Sequence, residues 1–168
     1  MIQTLIVEIQ GDFKYKFTQY VERRIMLTEF YRKIADFEKE GSLALKVRKQ
    51  RFQIFKDLID ALPRPLRILD VGGTEVFWEI MGFAGCHDFE IVILNIIDYL
   101  KTSYDNLTYV KGDARDLSPF KDNEFDVVFS NSVIEHVGSY QDQEKMALEI
   151  QRVGKVFFVQ TPNYYSPF

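Results

Sequence analysis

Polar side chains that could bind or react with a ligand occur in four short segments of the sequence. The first segment is Asp70-Val71-Gly72-Gly73-Thr74, where glycines let the backbone turn sharply and approach a ligand closely. Asn95 follows 23 residues after Gly72, near the offset of about 20 residues at which nucleotide-binding folds place a partner for ribose hydroxyls. The remaining segments are Gly112-Asp113-Ala114 and Ser130-Asn131-Ser132-Val133-Ile134-Glu135-His136-Val137.

Each of these segments directly follows a short apolar run that is typical of a buried strand. The runs predict strands over 66–71, 90–94, 107–110, 125–129 and 156–160, and helical spacing predicts helices over 74–83 and 140–153. Strands that alternate with helices indicate parallel βαβ units, so we expect an α/β, Rossmann-like, doubly wound sheet of about five strands. Ligands bind beyond the carboxyl ends of such strands, and the polar segments should therefore surround one crevice.

The N-terminal 62 residues have a different pattern. Apolar residues alternate on either side of Gly11-Asp12, from Leu5 to Phe17, which is compatible with a hairpin. Helical spacing follows over 20–40, and Ser42 can cap a second helix that ends before Pro63. We therefore predict an N-terminal extension over 1–62 that packs on a ligand-binding core over 63–168.

Composition narrows the range of partners. The chain has 168 residues, a formal net charge of −4 and dispersed basic residues, which argues against a nucleic-acid partner. The single cysteine, Cys86, excludes an internal disulfide, and we interpret it as an incidental loop thiol. The sequence contains neither a targeting segment nor an apolar stretch of about 20 residues, so we expect a cytoplasmic protein without a membrane partner.

Residues 66–162 resemble the class I S-adenosylmethionine (SAM)-dependent methyltransferases, specifically the small-molecule branch that includes the ubiquinone-biosynthesis type. The segment over 68–74 resembles the first motif of that family, and the segment over 109–114 resembles the one that meets the adenine. The run over 125–137 resembles the fourth-strand motif and is the most specific of the set, and residues 151–159 fit the junction between the last helix and the fifth strand.

The resemblance implies SAM as the cofactor and a role for each matching residue. Asp70 would lie near the methionine amino group, partly through water, and the turn formed by Gly72, Gly73 and Thr74 would pass under the methionine part. Asn95 would bind the ribose hydroxyls. The adenine would be held by a hydrogen bond from its amino group to Asp113 and by one from the Ala114 N–H to a ring nitrogen. Asn131 would contribute a backbone carbonyl near the methionine end.

Methyl transfer to a hydroxyl acceptor would need a base. His136 is the best candidate by position, with Glu135 as a possible orienting residue. The alternative is that His136 is a structural residue packed beneath the cofactor-binding loop. Tyr164 and Tyr165 could line the acceptor side. The acceptor itself is expected to be a small molecule, or a lipid or sugar precursor, because the sequence lacks a basic groove.

The sequence departs from the family pattern at three places. Thr74 and Val76 replace the later glycines of the first motif, which should reshape the loop or hold the cofactor less closely. Asn95 replaces the usual acidic residue, so we expect weaker ribose binding. Some relatives bind a metal through Glu-x-x-Glu-His, but Ser132 occupies the first position of that motif here, and no metal is expected.

The chain stops after its fifth predicted strand, whereas the full fold of the family has seven. We interpret the sequence as a fragment of a longer enzyme; otherwise a partner chain, such as a second copy in a homodimer, or the N-terminal segment must cover the free sheet edge. A degenerate, non-catalytic binding module is an alternative function. A nicotinamide-dependent oxidoreductase is less favoured, because the segment beginning at Gly72 does not supply Gly-x-Gly-x-x-Gly.

Overall fold

The computed structural model describes residues 43–98 and 101–161. Three predictions fall outside these ranges: the hairpin around Gly11-Asp12, the helix over 20–40, and the placement of Tyr164 and Tyr165 on the acceptor side. The described elements are three α-helices, α1 (Leu43–Asp60), α2 (Glu75–Met81) and α3 (Tyr140–Val153), and five strands, β1 (Leu66–Val71), β2 (Phe89–Asn95), β3 (Leu107–Lys111), β4 (Phe125–Asn131) and β5 (Gly154–Gln160), with a 3-10 turn over Ile134–His136.

The five strands form one parallel sheet in the order β3-β2-β1-β4-β5. The α/β, Rossmann-like fold class expected from the sequence is thereby confirmed. Strand β1 lies between β2 and β4, so the chain leaves β1 toward one side of the sheet and later returns to the other side. This reversal of strand order opens a crevice at the carboxyl ends of the central strands, where ligands bind in open α/β sheets.

Most element boundaries agree with the sequence pattern to within two residues. The largest error concerns α2, which we expected over 74–83 and which the structure shows over Glu75–Met81. Gly82 adopts a left-handed conformation with φ of 78°, and its N–H bonds back to the carbonyls of Glu79 and Trp78. A glycine in this conformation ends a helix at little steric cost, so apolar Phe83 belongs to the following loop.

The two faces of the sheet bury separate apolar layers. One face packs against α1 and α2, and the other packs against α3. Alternation along β1 determines which side chain meets which layer, because Ile68 lies in the first cluster whereas Leu69 and Val71 lie in the second. Asp70 has the parity of Ile68 and therefore extends toward the aromatic layer under α1 and α2. That layer contains Phe52, Phe55, Trp78, Phe83, Phe89 and Phe129.

Three observations concern the domain division, the membrane and the sheet edge. Contacts divide it into two compact units, residues 1–48 and 49–168, and the predicted boundary at residue 62 stays a prediction. Among the described helices, none is long and apolar enough to span a membrane.

Strand β5 pairs with β4 and with no other described strand, and the homodimer suggested by this edge stays a prediction as well.

Candidate active site

A cavity of about 340 Å³ opens at the carboxyl ends of β1 to β4. Its volume lies within the usual range of about 300 to 1,000 Å³ for small-molecule sites. Every wall comes from the segment that follows or ends one of these strands, as the order of the polar segments in the sequence predicted. The lining residues are Gly72 after β1, Leu94, Asn95 and Ile96 at β2, Gly112, Asp113, Ala114 and Arg115 after β3, and Ser132, Val133, His136 and Val137 after β4.

The turn after β1 needs glycine at two successive positions. Gly72 has a φ of 84°, and a Cβ added to it would lie 2.5 Å from Cγ2 of Val133. A Cβ on Gly73 would overlap the carboxylate of Asp70. The backbone of this turn is therefore pressed against Val133, in the segment after β4, on one side and against a buried carboxylate on the other, while Gly72 remains on the cavity wall.

Asp70 lies behind this turn and is not part of the cavity lining. Only 1% of the residue is exposed, and the indole Nε1 of Trp78 donates a hydrogen bond of 2.7 Å to its Oδ2. Burial raises the pKa of Asp70 to about 7, although the Trp78 bond acts in the opposite direction. The contact with a methionine amino group stays a prediction, because the Gly73 backbone lies over the carboxylate in this structure.

The side chain of Asn95 ties the loop after β2 to the glycine turn. Its Nδ2 donates to the Gly73 carbonyl at 2.9 Å, and its Oδ1 accepts a hydrogen bond of 3.0 Å from the Ile97 N–H. A carboxylate cannot donate to a carbonyl oxygen, so this tie requires the amide. The departure from the acidic residue of the family therefore has a structural reason, and the predicted ribose contact is neither formed nor excluded by it.

Asp113 and Ala114 lie together on the wall that follows β3. The Asp113 carboxylate accepts hydrogen bonds from the Arg115 guanidinium, at 2.9 Å to Oδ1 and 2.6 Å to Oδ2. This contact, together with the Arg115 N–H, lowers the pKa of Asp113 to about 2. An acceptor that stays ionised over the physiological range is therefore available beside the cavity.

The segment after β4 brings one of the two predicted acid–base residues into the cavity. His136 lines it, and with 76% of its side chain exposed the ring does not fill the core. Glu135 lies behind it, where Oε2 accepts a hydrogen bond from the Thr161 hydroxyl and Oε1 is buried without a partner among the described residues. The distance from Glu135 Oε1 to His136 Nε2 is 3.9 Å, longer than a hydrogen bond.

The structure thus gathers some predicted residues and leaves others aside. Five predicted residues line the cavity, namely Gly72, Asn95, Asp113, Ala114 and His136, and five do not, namely Asp70, Gly73, Thr74, Asn131 and Glu135. Val76, which we expected to disturb the glycine loop, is the second residue of α2 and is also absent from the lining.

Seven other lining residues were not predicted as site residues: Leu94, Ile96, Gly112, Arg115, Ser132, Val133 and Val137. Each of them lies within a predicted polar segment or immediately beside one, so position was the available signal. Among the described residues, no group of three or more His, Cys, Asp or Glu side chains could hold a metal ion.

The cavity fits the parts of SAM that the sequence motifs imply. The glycine turn presents bare backbone to the cavity at Gly72, where Val133 leaves no space for a Cβ, and Asp113 offers an ionised acceptor on the wall that follows β3. Leu94 and Ile96 supply apolar surface between them, and 72% of Ile96 is exposed. A predominantly apolar cavity with a few convergent polar groups is typical of a nucleotide-type cofactor site.

The parallel sheet, with a glycine turn after β1 and polar residues after β2, β3 and β4, has the class I, Rossmann-like methyltransferase fold. In agreement with this, residues 90–156 match the model of a family described as a methyltransferase domain. The resemblance to the SAM-dependent methyltransferases inferred from the sequence is thereby confirmed over this part of the chain.

Solved structures of such proteins share the fold. A SAM-dependent methyltransferase from Archaeoglobus fulgidus is 19% identical with a TM-score of 0.55, covering 72% of this chain and 54% of its own. One from Aquifex aeolicus is 17% identical with a TM-score of 0.51 (73% and 66% covered), and the CurJ carbon methyltransferase is 19% identical with a TM-score of 0.53 (67% and 34% covered). The chain thus spans between about a third and two thirds of the length of these proteins.

Proposed function

We propose that the protein catalyses transfer of a methyl group from SAM to a small-molecule acceptor. The observation that carries the proposal is the single cavity where Gly72, Asn95, Asp113 and His136 meet, although they are scattered over 65 residues of sequence. The methyltransferase-domain match over 90–156 includes three of these four residues. The nicotinamide alternative is not supported by either observation.

The residues of the cavity would divide the cofactor between them. Asp113 would accept a hydrogen bond from the adenine amino group, with Ala114 beside it, while Ile96 would supply an apolar contact for the ring. The backbone at Gly72 would lie under the methionine part. Asn95 would contact the ribose only while it also ties the glycine turn, and we therefore expect weaker ribose binding than a carboxylate would give.

Bound SAM supplies an electrophilic methyl group on a sulfonium, so the protein mainly has to orient the acceptor and manage its proton. His136 is the titratable side chain on the wall after β4 and would accept the proton of an acceptor hydroxyl. Its exposed ring can pass that proton to solvent. Glu135 would orient or stabilise the protonated imidazole from 3.9 Å, a distance at which an ion pair forms without a direct hydrogen bond.

A small-molecule acceptor fits the character of the cavity better than a polymer. Arg115 is the one permanently cationic residue of the lining, and two carboxylates already bind its guanidinium. Recognition of RNA or DNA relies on several cations that are free to meet phosphates. A small acceptor, or a lipid or sugar precursor, needs only the volume and a base.

Isothermal titration of the full 168-residue chain with SAM and with S-adenosylhomocysteine tests the cofactor half of the proposal. We expect micromolar binding in the wild-type protein and at least about tenfold weaker binding in Asp113→Asn, since a hydrogen bond to a charged group is worth about 1.5 to 3 kcal/mol. Asp88→Asn removes an exposed carboxylate in the loop before β2 and serves as the matched control. It should bind like the wild type.

The catalytic half is tested by transfer of a labelled methyl group from SAM to a panel of small hydroxyl, amine and carbon acceptors. Absence of binding at millimolar ligand would refute the proposal and favour a degenerate binding module. Tight binding without transfer to any acceptor would keep the cofactor site and refute catalysis by the 168-residue chain.

A further inference from the structure

Arg115 connects the cavity wall that follows β3 to the start of helix α3. Its Nε and Nη2 donate to Asp113, in the same loop after β3, and its Nη1 donates to Oδ1 of Asp142 at 3.3 Å, in the first turn of α3. Oδ2 of Asp142 accepts hydrogen bonds from the N–H and the hydroxyl of Ser139, which caps α3. The guanidinium is therefore fixed between two carboxylates that different elements hold in place.

The hydrogen bonds at Asp113 leave its carboxylate with one favoured position for a further donor. A carboxylate has about four acceptor positions. Oδ1 accepts the Arg115 N–H and Nε, both at 2.9 Å, whereas Oδ2 accepts Nη2 at 2.6 Å and a longer, shared contact of 3.2 Å from Nε. The acceptor position that remains free is thus on Oδ2. The two-pronged contact with the guanidinium fixes the plane of the carboxylate, and with it the direction of this position.

We propose that Arg115 is a positioning residue that presents Asp113 as an ionised acceptor of fixed direction, so that the cavity selects a 6-aminopurine over a 6-oxopurine. The inference rests on the proposed function, in which Asp113 meets the adenine amino group. A 6-amino group donates to the free position on Oδ2, whereas a 6-oxo group would place a carbonyl oxygen against a carboxylate. Selectivity then comes from repulsion of the wrong base as much as from attraction of the right one.

Arginine is required for this role and lysine cannot replace it fully. A lysine ammonium would retain the positive charge near Asp113 but not the planar fork that holds both carboxylate oxygens at once. It would also be unable to keep the contact with Asp142 while bonding Asp113 in two places. Arg115→Lys therefore separates the effect of charge from the effect of direction.

The test is isothermal titration with S-adenosylhomocysteine and with S-inosylhomocysteine, in which an oxo group replaces the 6-amino group. We expect the wild type to prefer the adenosyl ligand by at least about tenfold, as the loss of a hydrogen bond to a charged group implies. Arg115→Met should reduce the ratio of the two dissociation constants by about fivefold or more, and Arg115→Lys by about threefold.

Arg67→Met is the matched control. Arg67 also binds two carboxylates, those of Glu90 and Glu124, but it lies in β1 and is not part of the cavity lining. The ratio should remain at the wild-type value in this variant. About 40% of the Arg115 side chain is exposed, so its variants should fold normally, which thermal unfolding checks; if Arg115→Met does not fold, Arg115→Lys carries the test.

The possible failures are distinguishable. Unchanged selectivity in a folded Arg115→Met protein that still binds S-adenosylhomocysteine would overturn the inference and leave the proposed function standing. An equal loss of affinity for both ligands would also overturn it, because a merely structural role predicts that result. Failure of the wild type to bind either ligand would overturn the proposed function and this inference together.

Discussion

Replacement of Asp70 by asparagine should change how the stability of the protein depends on pH. Asp70 is 1% exposed, and burial raises its pKa from 3.8 in the unfolded chain to about 7 in the folded protein. The folded state therefore binds the proton more tightly than the unfolded state, and stability falls as the pH rises from about 4 to about 7. Asparagine cannot ionise, but its oxygen can still accept the hydrogen bond from Trp78.

The size of the effect follows from the two pKa values. At about 1.4 kcal/mol for each pH unit between them, the burial of the charge costs about 4 kcal/mol above pH 7. Between pH 5 and pH 8 the wild-type protein should lose about 3 kcal/mol of that total. The new amide N–H groups of the variant carry a cost of about 1 to 3 kcal/mol if they find no acceptor, but that cost is the same at both pH values.

Chemical unfolding of the wild type and Asp70→Asn at pH 5 and pH 8 measures this difference. The free energy of unfolding of the variant, relative to that of the wild type, should rise by about 3 kcal/mol between the two conditions. Asp88→Asn, which changes an exposed carboxylate, should show a change below about 0.5 kcal/mol. A change below about 1 kcal/mol for Asp70→Asn would refute the argument, because Asp70 would then ionise in the folded protein nearly as it does in water.

Three further substitutions test the site. Asn95→Asp restores the residue type usual in the family but should lower stability by about 1 to 3 kcal/mol in chemical unfolding, because a carboxylate would face the Gly73 carbonyl; unchanged stability would contradict the proposed tie. Gly73→Ala should prevent folding or cost more than about 3 kcal/mol, since its Cβ overlaps Asp70, whereas Gly82→Ala, with open space around it, should cost about 1 kcal/mol; equal losses, compared by thermal unfolding, would argue against the overlap. His136→Ala should reduce methyl transfer about 100-fold or more and leave the dissociation constant for S-adenosylhomocysteine within about twofold; a parallel loss of binding would assign the residue to the cofactor site instead of the acceptor's proton.

The order of elements was predictable from local sequence. Short apolar runs predicted all five strands, and the helical spacing over 140–153 agrees with the observed bounds of α3. These signals are strong because a strand buried on both faces must be apolar almost throughout, as at 66–71 and 125–129. The end of α2 was harder to predict, because the left-handed conformation at Gly82 competes with an apolar pattern that continues to Phe83.

The sequence also determined which segments would meet, because polar residues directly after parallel strands must collect at one edge of the sheet. What each side chain does there was decided by tertiary contacts. Asp70 has the parity that buries it beside Trp78. Asn95 bonds to two backbone groups: the carbonyl of Gly73, which lies 22 residues earlier, and the N–H of Ile97, which lies two residues later. Arg115 lies two residues from Asp113 but 27 from Asp142, so its place between the two carboxylates depends on how α3 packs on the sheet. The local sequence pattern specifies which edge of the sheet carries the polar residues. The direction of each hydrogen bond depends on atoms that only the folded chain brings within hydrogen-bonding distance.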